Sequence, residues 1–247
     1  MTPRTHSGIV AREVGRVRAG IFDVDGVLLA SPHERAWREA LTGFAEPRRF
    51  TTAIYQAEVA GKPRLDGARA ALAALGVADA DARAGAYAEA KQARLEALIH
   101  AGAVQAFPDA LRLVAAIAVL GLPMAVASSS KNANAMMKPI RLESGESLLD
   151  AFAVNVCGRD LQHGKPDPEI FLLAARELRT APEACFVAED ATAGVEAAHA
   201  GGITALGVAR LGDADPLRAA GADLVVTNLD EISIEDLARG RLRACPA

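Results

Sequence analysis

The chain has 247 residues, 51% of them hydrophobic, and a formal net charge of −4. That length fits one α/β domain with a large insertion, or two modest domains, with enough apolar residues to bury a real core. A slightly acidic chain with no basic run is not built to follow a nucleic-acid backbone, and the most apolar window, Leu113 to Ala127, is too short for a membrane span and is broken by Gly121 and Pro123.

Residues Met1 to Gly20 carry four arginines but no continuous apolar stretch before a small-residue cleavage site, so they do not read as a secretory signal. The three cysteines, Cys157, Cys185 and Cys245, are widely spaced, which implies reduced thiols in a cytoplasmic protein rather than a disulfide framework or a zinc site. Ala19 to Val24 is a short apolar run that predicts a buried strand, and Gly26 turns the chain out of it. Asp23 and Asp25 sit at its exit, where the carboxyl ends of strands in an open parallel sheet face the ligand crevice. On an extended strand their side chains share a face, and so much negative charge is tolerable only with a cation or a shared proton.

Ser31-Pro32-His33-Glu34 has the form of a capping box and predicts a helix start, with Ala36, Trp37, Ala40 and Leu41 as its apolar stripe. Helical periodicity continues over Thr52 to Ala60, Asp66 to Leu75 and Asp81 to Ala101, with no convincing strand among them. This block predicts an all-helical cap domain over 32-104, inserted into an α/β core domain made of 1-31 and 105-247, with linkers at Leu29 to Ser31 and Val104 to Pro108. Alternation then resumes. Asp109 is placed to cap a helix to Leu120, and strands are predicted at Pro123 to Ala127, Ala153 to Val156, Cys185 to Ala188, Ile203 to Val208 and Asp223 to Val226, with helices at Pro168 to Leu178 and Ala193 to Ala200. Strands separated by helices imply parallel pairing with right-handed crossovers, hence a three-layer, Rossmann-like α/β sandwich.

Four pieces carry chemistry: Asp23-x-Asp25 after the first strand, Ser128 after the second, Lys165 in Lys-Pro-Asp-Pro, and Glu189-Asp190 after another strand. Ser128 could be an ordinary N-cap and Glu189-Asp190 a helix cap. In this order and together, they resemble the motifs of the haloacid dehalogenase superfamily, and within it the β-phosphoglucomutase-like branch, over about residues 19 to 230.

The resemblance implies phosphoryl transfer to and from Asp23 as an aspartyl phosphate, with Asp25 as general acid and base and with Ser128 and Lys165 on the transferring phosphate. It also implies Mg²⁺ held by Asp23, the backbone carbonyl of Asp25, Glu189 and Asp190, an oxygen-rich set suited to that ion. Ser130, Lys131 and Asn132 match the branch's Ser-Lys-Asn and, with Arg64, would grip a second phosphate; His33 matches a histidine that orients the second Asp. These matches, with Asp-Gly-Val after the nucleophile, imply a β-phosphoglucomutase acting on a small phosphorylated sugar: β-glucose 1-phosphate to glucose 6-phosphate through the 1,6-bisphosphate. A pathway link to a disaccharide phosphorylase follows by the same resemblance, and a monomer is expected. The alternatives are a sugar-phosphate phosphatase and a non-catalytic phosphosugar-binding module.

Some positions depart from the branch. The loop Val27-Leu28-Leu29-Ala30-Ser31 lacks the usual Asp and is two residues shorter before His33. Ala60 stands where a substrate-binding Lys is expected if Arg64 is aligned, with Lys62 nearby. The stretch from Asn132 to Lys165 is longer. These departures bear on the sugar rather than on the phosphoryl chemistry.

Overall fold

Both faces of the central strand β1 (Ala19–Phe22) are covered, which is why it reads as an unbroken apolar run. The computed structural model describes residues 16–60 and 62–246; most of the lead-in Met1 to Gly20, and Gly61, lie outside them. After β1 come β2 (Leu29–Ala30), α1 (His33–Glu39), α2 (Thr52–Ile54) running into a π turn over Tyr55–Val59, α3 (Arg64–Ala74), α4 (Ala80–His100) and β3 (Gln105–Ala106). The chain continues through α5 (Pro108–Val119), β4 (Met124–Val126), α6 (Ala133–Met137), β5 (Val154–Asn155), α7 (Glu169–Glu177) and β6 (Cys185–Glu189). It ends with α8 (Thr192–Ala200), β7 (Thr204–Val208), α9 (Ala214–Ala219), β8 (Leu224–Val226) and α10 (Ile234–Ala238).

Six strands form a sheet in the order β5-β4-β1-β6-β7-β8, and every pairing in it is parallel. The order reverses at β1, which places the exits of β1, β4 and β6 around one crevice. A Cβ on Gly20 would lie 2.8 Å from the Phe186 ring, so glycine lets that ring close over the strand. Phe22 meets Phe186 edge-on at 5.6 Å and Phe152 at 5.9 Å. Fully burying such a ring contributes roughly 2–3 kcal/mol.

Alternation along the strands divides the core into two layers. Phe22, Val126 and Phe186 pack with Val114 and Ile117 of α5 and with Met136 and Met137 of α6. Ile21 and Val187 pack on the other face with Phe171 of α7 and Val195 of α8. The result is the expected α/β sandwich of three layers. The helices between β2 and β3 enclose an apolar cluster of their own, centred on Trp37, Leu41, Phe50, Leu72 and Tyr87. Tyr87 donates its hydroxyl to the Trp37 carbonyl at 2.7 Å, so this buried phenol is satisfied.

Local readings need correction in several places. The capping box does not form: α1 begins at His33, with Pro32 rather than Ser31 at its N-cap and no side-chain cap. Asp109 is not a cap either. It lies buried in the first turn of α5 and accepts from Arg210 and from the Leu229 amide. The two linkers are paired strands, Leu29 opposite Ala106 and Ala30 opposite Gln105, a pairing invisible in segments only two residues long. The helix expected over Thr52 to Ala60 is α-helical only to Ile54 before the π turn.

Candidate active site

The crevice at the exits of β1, β4 and β6 continues beneath the helices 33–100 as one cavity of about 510 Å³, within the usual range for a small-molecule site. Asp23 follows β1, tied by its amide to the Ala188 carbonyl at 3.0 Å. Glu189 ends β6, buried, and its Oε2 accepts the amides of Asp190 and Ala191 at 3.0 and 3.1 Å. Between them lies buried Lys165, whose Nζ donates to Asp23 Oδ1 at 2.6 Å and to Glu189 Oε1, with the Phe171 ring 4.9 Å away. Burial alone would push Lys165 down, but Asp23 and Glu189 outweigh it and hold the ammonium charged.

Asp190 and Asp25 complete the acidic floor. Burial, then the neighbouring Glu189, pushes Asp190 well above the ordinary carboxylate range. Burial likewise raises Asp25, against the pull of the Ser31 hydroxyl, Lys91 and Lys165, and Asp25 Oδ1 is buried without a hydrogen-bond partner. Gly26 adopts φ +79° with the Asp190 carboxylate where its Cβ would stand, so only glycine lets the loop lie this close. Two buried lysines, Lys165 and, beside Asp25, Lys91, thus face four carboxylates, a donor set of hard oxygens with charge to spare.

His163, Asp167 and Glu169 also come together, on an exposed loop beside Lys165. There Glu169 is occupied in accepting the amides of Gln162 and His163. Asp23, Glu189 and Asp190 do not draw to that spacing among themselves, and Lys165 separates two of them. An open set of this kind suits an ion that keeps waters and takes a substrate oxygen.

The remaining residues singled out in the sequence line the same cavity. Ser128 is buried after β4, and its Oγ accepts the Ser130 amide at 3.2 Å, leaving its own O–H free to donate. Ser130 Oγ accepts the Asn132 amide at 3.3 Å, and Asn132 exchanges hydrogen bonds with Gln92 of α4 at 3.2 and 3.3 Å. Lys131 pairs with Asp160 at 3.1 Å and Arg64 with Glu89 at 3.4 Å. Both pairs are exposed, where an ion pair is worth about 0–1 kcal/mol and exchanges readily for a phosphate.

His33 lies 3.6 Å from Asp25 Oδ2 through Nε2, and its Nδ1 is 3.1 Å from Lys91 Nζ. Burial, and then Lys91, push the imidazole well below its ordinary value, so it is neutral. An ammonium only donates, which makes Nδ1 the acceptor and puts the proton on Nε2, which lies between the Asp25 carboxyl and Ser130 Oγ, the latter at 3.5 Å. Lys91 itself is buried and packs 4.9 Å over the Trp37 ring; burial brings it down to about 8.

Lys91 escaped sequence reasoning although a signal was there. It occupies the buried stripe of α4 with Ala84, Tyr87, Ala88, Leu95 and Leu98, where a charge is out of place. Tyr55 was missed as well; its ring lines the cavity from the π turn, a local distortion common at functional sites. Arg210, reaching back from beyond β7 to the Asp25 loop, left no local signal.

The description "haloacid dehalogenase-like hydrolase" matches residues 17–202. A β-phosphoglucomutase of Mycobacterium bovis is 35% identical over 88% of this chain and 92% of its own length. A phosphorylated carbohydrates phosphatase of Thermotoga maritima is 32% identical over 85% and 94%. The crystal structure of an archaeal β-phosphoglucomutase from Pyrococcus sp. strain ST 04 superposes with a TM-score of 0.71 at 30% identity, covering 89% of this chain and 96% of that one.

Proposed function

The chain belongs to the haloacid dehalogenase-like hydrolases, in their β-phosphoglucomutase-like branch, and from that premise we propose that it transfers phosphoryl groups of small phosphosugars through an aspartyl phosphate on Asp23. The observation that carries the reading is the Asp23–Lys165–Glu189 array at the floor of the cavity. Lys165 engages Oδ1 of Asp23, orienting the carboxylate so that Oδ2 attacks, and its charge offsets the incoming phosphate. Asp25, raised by burial, holds the proton that the departing sugar oxygen needs and later takes one from the attacking hydroxyl. His33, neutral and pinned by Lys91, directs its Nε2 proton at Asp25 and keeps that carboxyl facing the cavity.

The buried carboxylates in excess of Lys165 fit a divalent cation. Asp23, Glu189 and Asp190, with the Asp25 carbonyl, would hold Mg²⁺, which when bound neutralises phosphate charge and orients the transferring group. Residues 32–104 act as a cap over a core of 1–31 and 105–247, with the paired strands β2 and β3 as the hinge. Arg64, Ser130, Lys131 and Asn132 receive the non-reacting phosphate, Arg64 and Lys131 by giving up their exposed partners Glu89 and Asp160.

The favoured reaction is conversion of β-glucose 1-phosphate to glucose 6-phosphate. Phosphorus NMR with Mg²⁺, β-glucose 1-phosphate and a trace of glucose 1,6-bisphosphate tests it: the expected outcome is signal moving to glucose 6-phosphate without free phosphate. Free phosphate instead would make water the acceptor and favour the phosphatase reading, which the similarity to the Thermotoga phosphatase supports.

A further inference from the structure

We propose that Arg210 is a positioning residue for Asp25, a clamp that fixes the loop bearing this carboxyl against the return linker at the hinge. The proposal rests on the phosphoryl-transfer reading above and holds for either acceptor. The Arg210 side chain is largely buried, 13% exposed. Its Nε donates to the Gly26 carbonyl at 2.9 Å and one terminal nitrogen to the Val27 carbonyl at 3.0 Å. The other terminal nitrogen pairs with Asp109 Oδ2 at 2.9 Å, and the guanidinium carbon lies 3.8 Å from the centre of the Phe107 ring. Asp109 accepts in addition from the Leu229 amide at 2.8 Å, and the Phe107 amide donates to Leu28 at 3.0 Å.

Four segments therefore meet on one side chain: the loop after Asp25, the linker returning from the helices 33–100, the first turn of α5 and the segment after β7. Arg210 does not touch the reacting groups. It takes up the carbonyl oxygens of Gly26 and Val27, in the turn that follows Asp25, for which no other hydrogen-bond donor is found among the described residues. A planar fork with several donors satisfies both carbonyls and the carboxylate at once, whereas a lysine supplies a point charge. Rotation of the Gly26 peptide would carry the Asp25 side chain with it, and a general acid works only within hydrogen-bond reach of the oxygen it protonates.

The leaving group separates this role from a merely structural one. A sugar oxygen departs with a proton from Asp25, while p-nitrophenolate departs without one. Single-turnover release is measured with Mg²⁺ from glucose 1,6-bisphosphate and from p-nitrophenyl phosphate, for wild type and Arg210→Lys, beside thermal unfolding of each. The expected result is a drop of about 30-fold or more for the bisphosphate, the scale of a general acid misplaced by about 1 Å. Release of p-nitrophenolate stays within about threefold of wild type, because transition-state stabilisation is lost only where a proton must be delivered.

Equal losses on both esters, or no loss on either, overturn the proposal. If Arg210→Lys does not fold, Asp109→Asn, which keeps the guanidinium and withdraws its carboxylate, is read by the same selective loss and overturned by the same equal one. A wild-type chain that releases neither leaving group would overturn the phosphoryl-transfer reading, and this inference with it.

Discussion

Lys91 illustrates what a buried charge in the cavity wall costs a fold. Its ammonium is buried against Trp37 and His33, with burial bringing it down to about 8. Between about pH 8 and the ordinary lysine range the unfolded chain holds a proton that the folded chain has released, so stability rises with pH across that window. Below it the buried charge is destabilising. Lys91→Met should therefore raise stability at pH 7 by about 2 kcal/mol, less than the full linkage because methionine gives up the ring and histidine contacts. That gain should shrink as the pH approaches about 10. Urea unfolding at both pH values checks this; equal stability of the two chains at pH 7 would mean that Asp25 and Trp37 fully compensate the charge. The same variant should slow phosphoryl transfer by about tenfold or more, because His33 then loses the donor that sets its tautomer.

At the scale of elements, the helices 33–100 reach the α/β sheet through few contacts, and one of them is steric. A Cβ on Gly164 would lie 2.5 Å from the Pro63 ring, so glycine beside Lys165 lets the turn before α3 sit down on the Lys165 loop. Pro63 is rigid and the neighbouring Lys165 is held by two carboxylates, so neither side yields easily. Gly164→Ala should push the helices away from the sheet without unfolding either layer. The expected outcome is a KM for the phosphosugar raised by about tenfold, with the melting temperature within about 2 °C of wild type, as for a surface change outside the core. An unchanged KM would show that the contact plays no part in closing the cavity. The amide pair between Gln92 and Asn132 spans the same gap and would be strained by the same opening.

Over the whole molecule, the Mg²⁺ site proposed above would make the acidic floor couple stability to metal as well as to pH. Burial raises Asp23, Glu189 and Asp190 above their ordinary range. Carboxyls with raised values support the fold while protonated, fully so below the unfolded-state range, and lose that contribution as the pH climbs through their folded values. Metal-free protein should thus be penalised at neutral pH, where these groups ionise against one another. Mg²⁺ at about a hundred times its Kd should add about 2.7 kcal/mol, or a few degrees in melting temperature for a chain of this size. The gain should be clear near pH 7.5 and fade toward about pH 5, where protons compete for the same oxygens. Thermal unfolding with and without Mg²⁺ at the two pH values checks it, and a shift independent of pH would place the ion elsewhere. No helix among the described residues is long and apolar enough to cross a membrane.

The sequence by itself determined the layered architecture and the residues at the strand exits. Unbroken apolar runs separated by helical periods can be covered only in a parallel sandwich, and Asp23, Ser128 and Glu189 carry their meaning in their place at the end of a strand. Their company in one cavity followed from the topology, because parallel strands bring all their exits to one edge. Tertiary structure alone decided the rest. Asp109 looks like a helix cap in isolation, yet the Arg210 guanidinium and the Leu229 amide, both distant in sequence, take its carboxylate. The strands β2 and β3 exist only because segments 75 residues apart in the chain meet. Arg210 is an ordinary charge until folding surrounds it, and the partners that offset the burial of Lys91 are equally absent from its stripe on α4, since the cost of burying a charge and what offsets it depend on neighbours that local sequence does not contain.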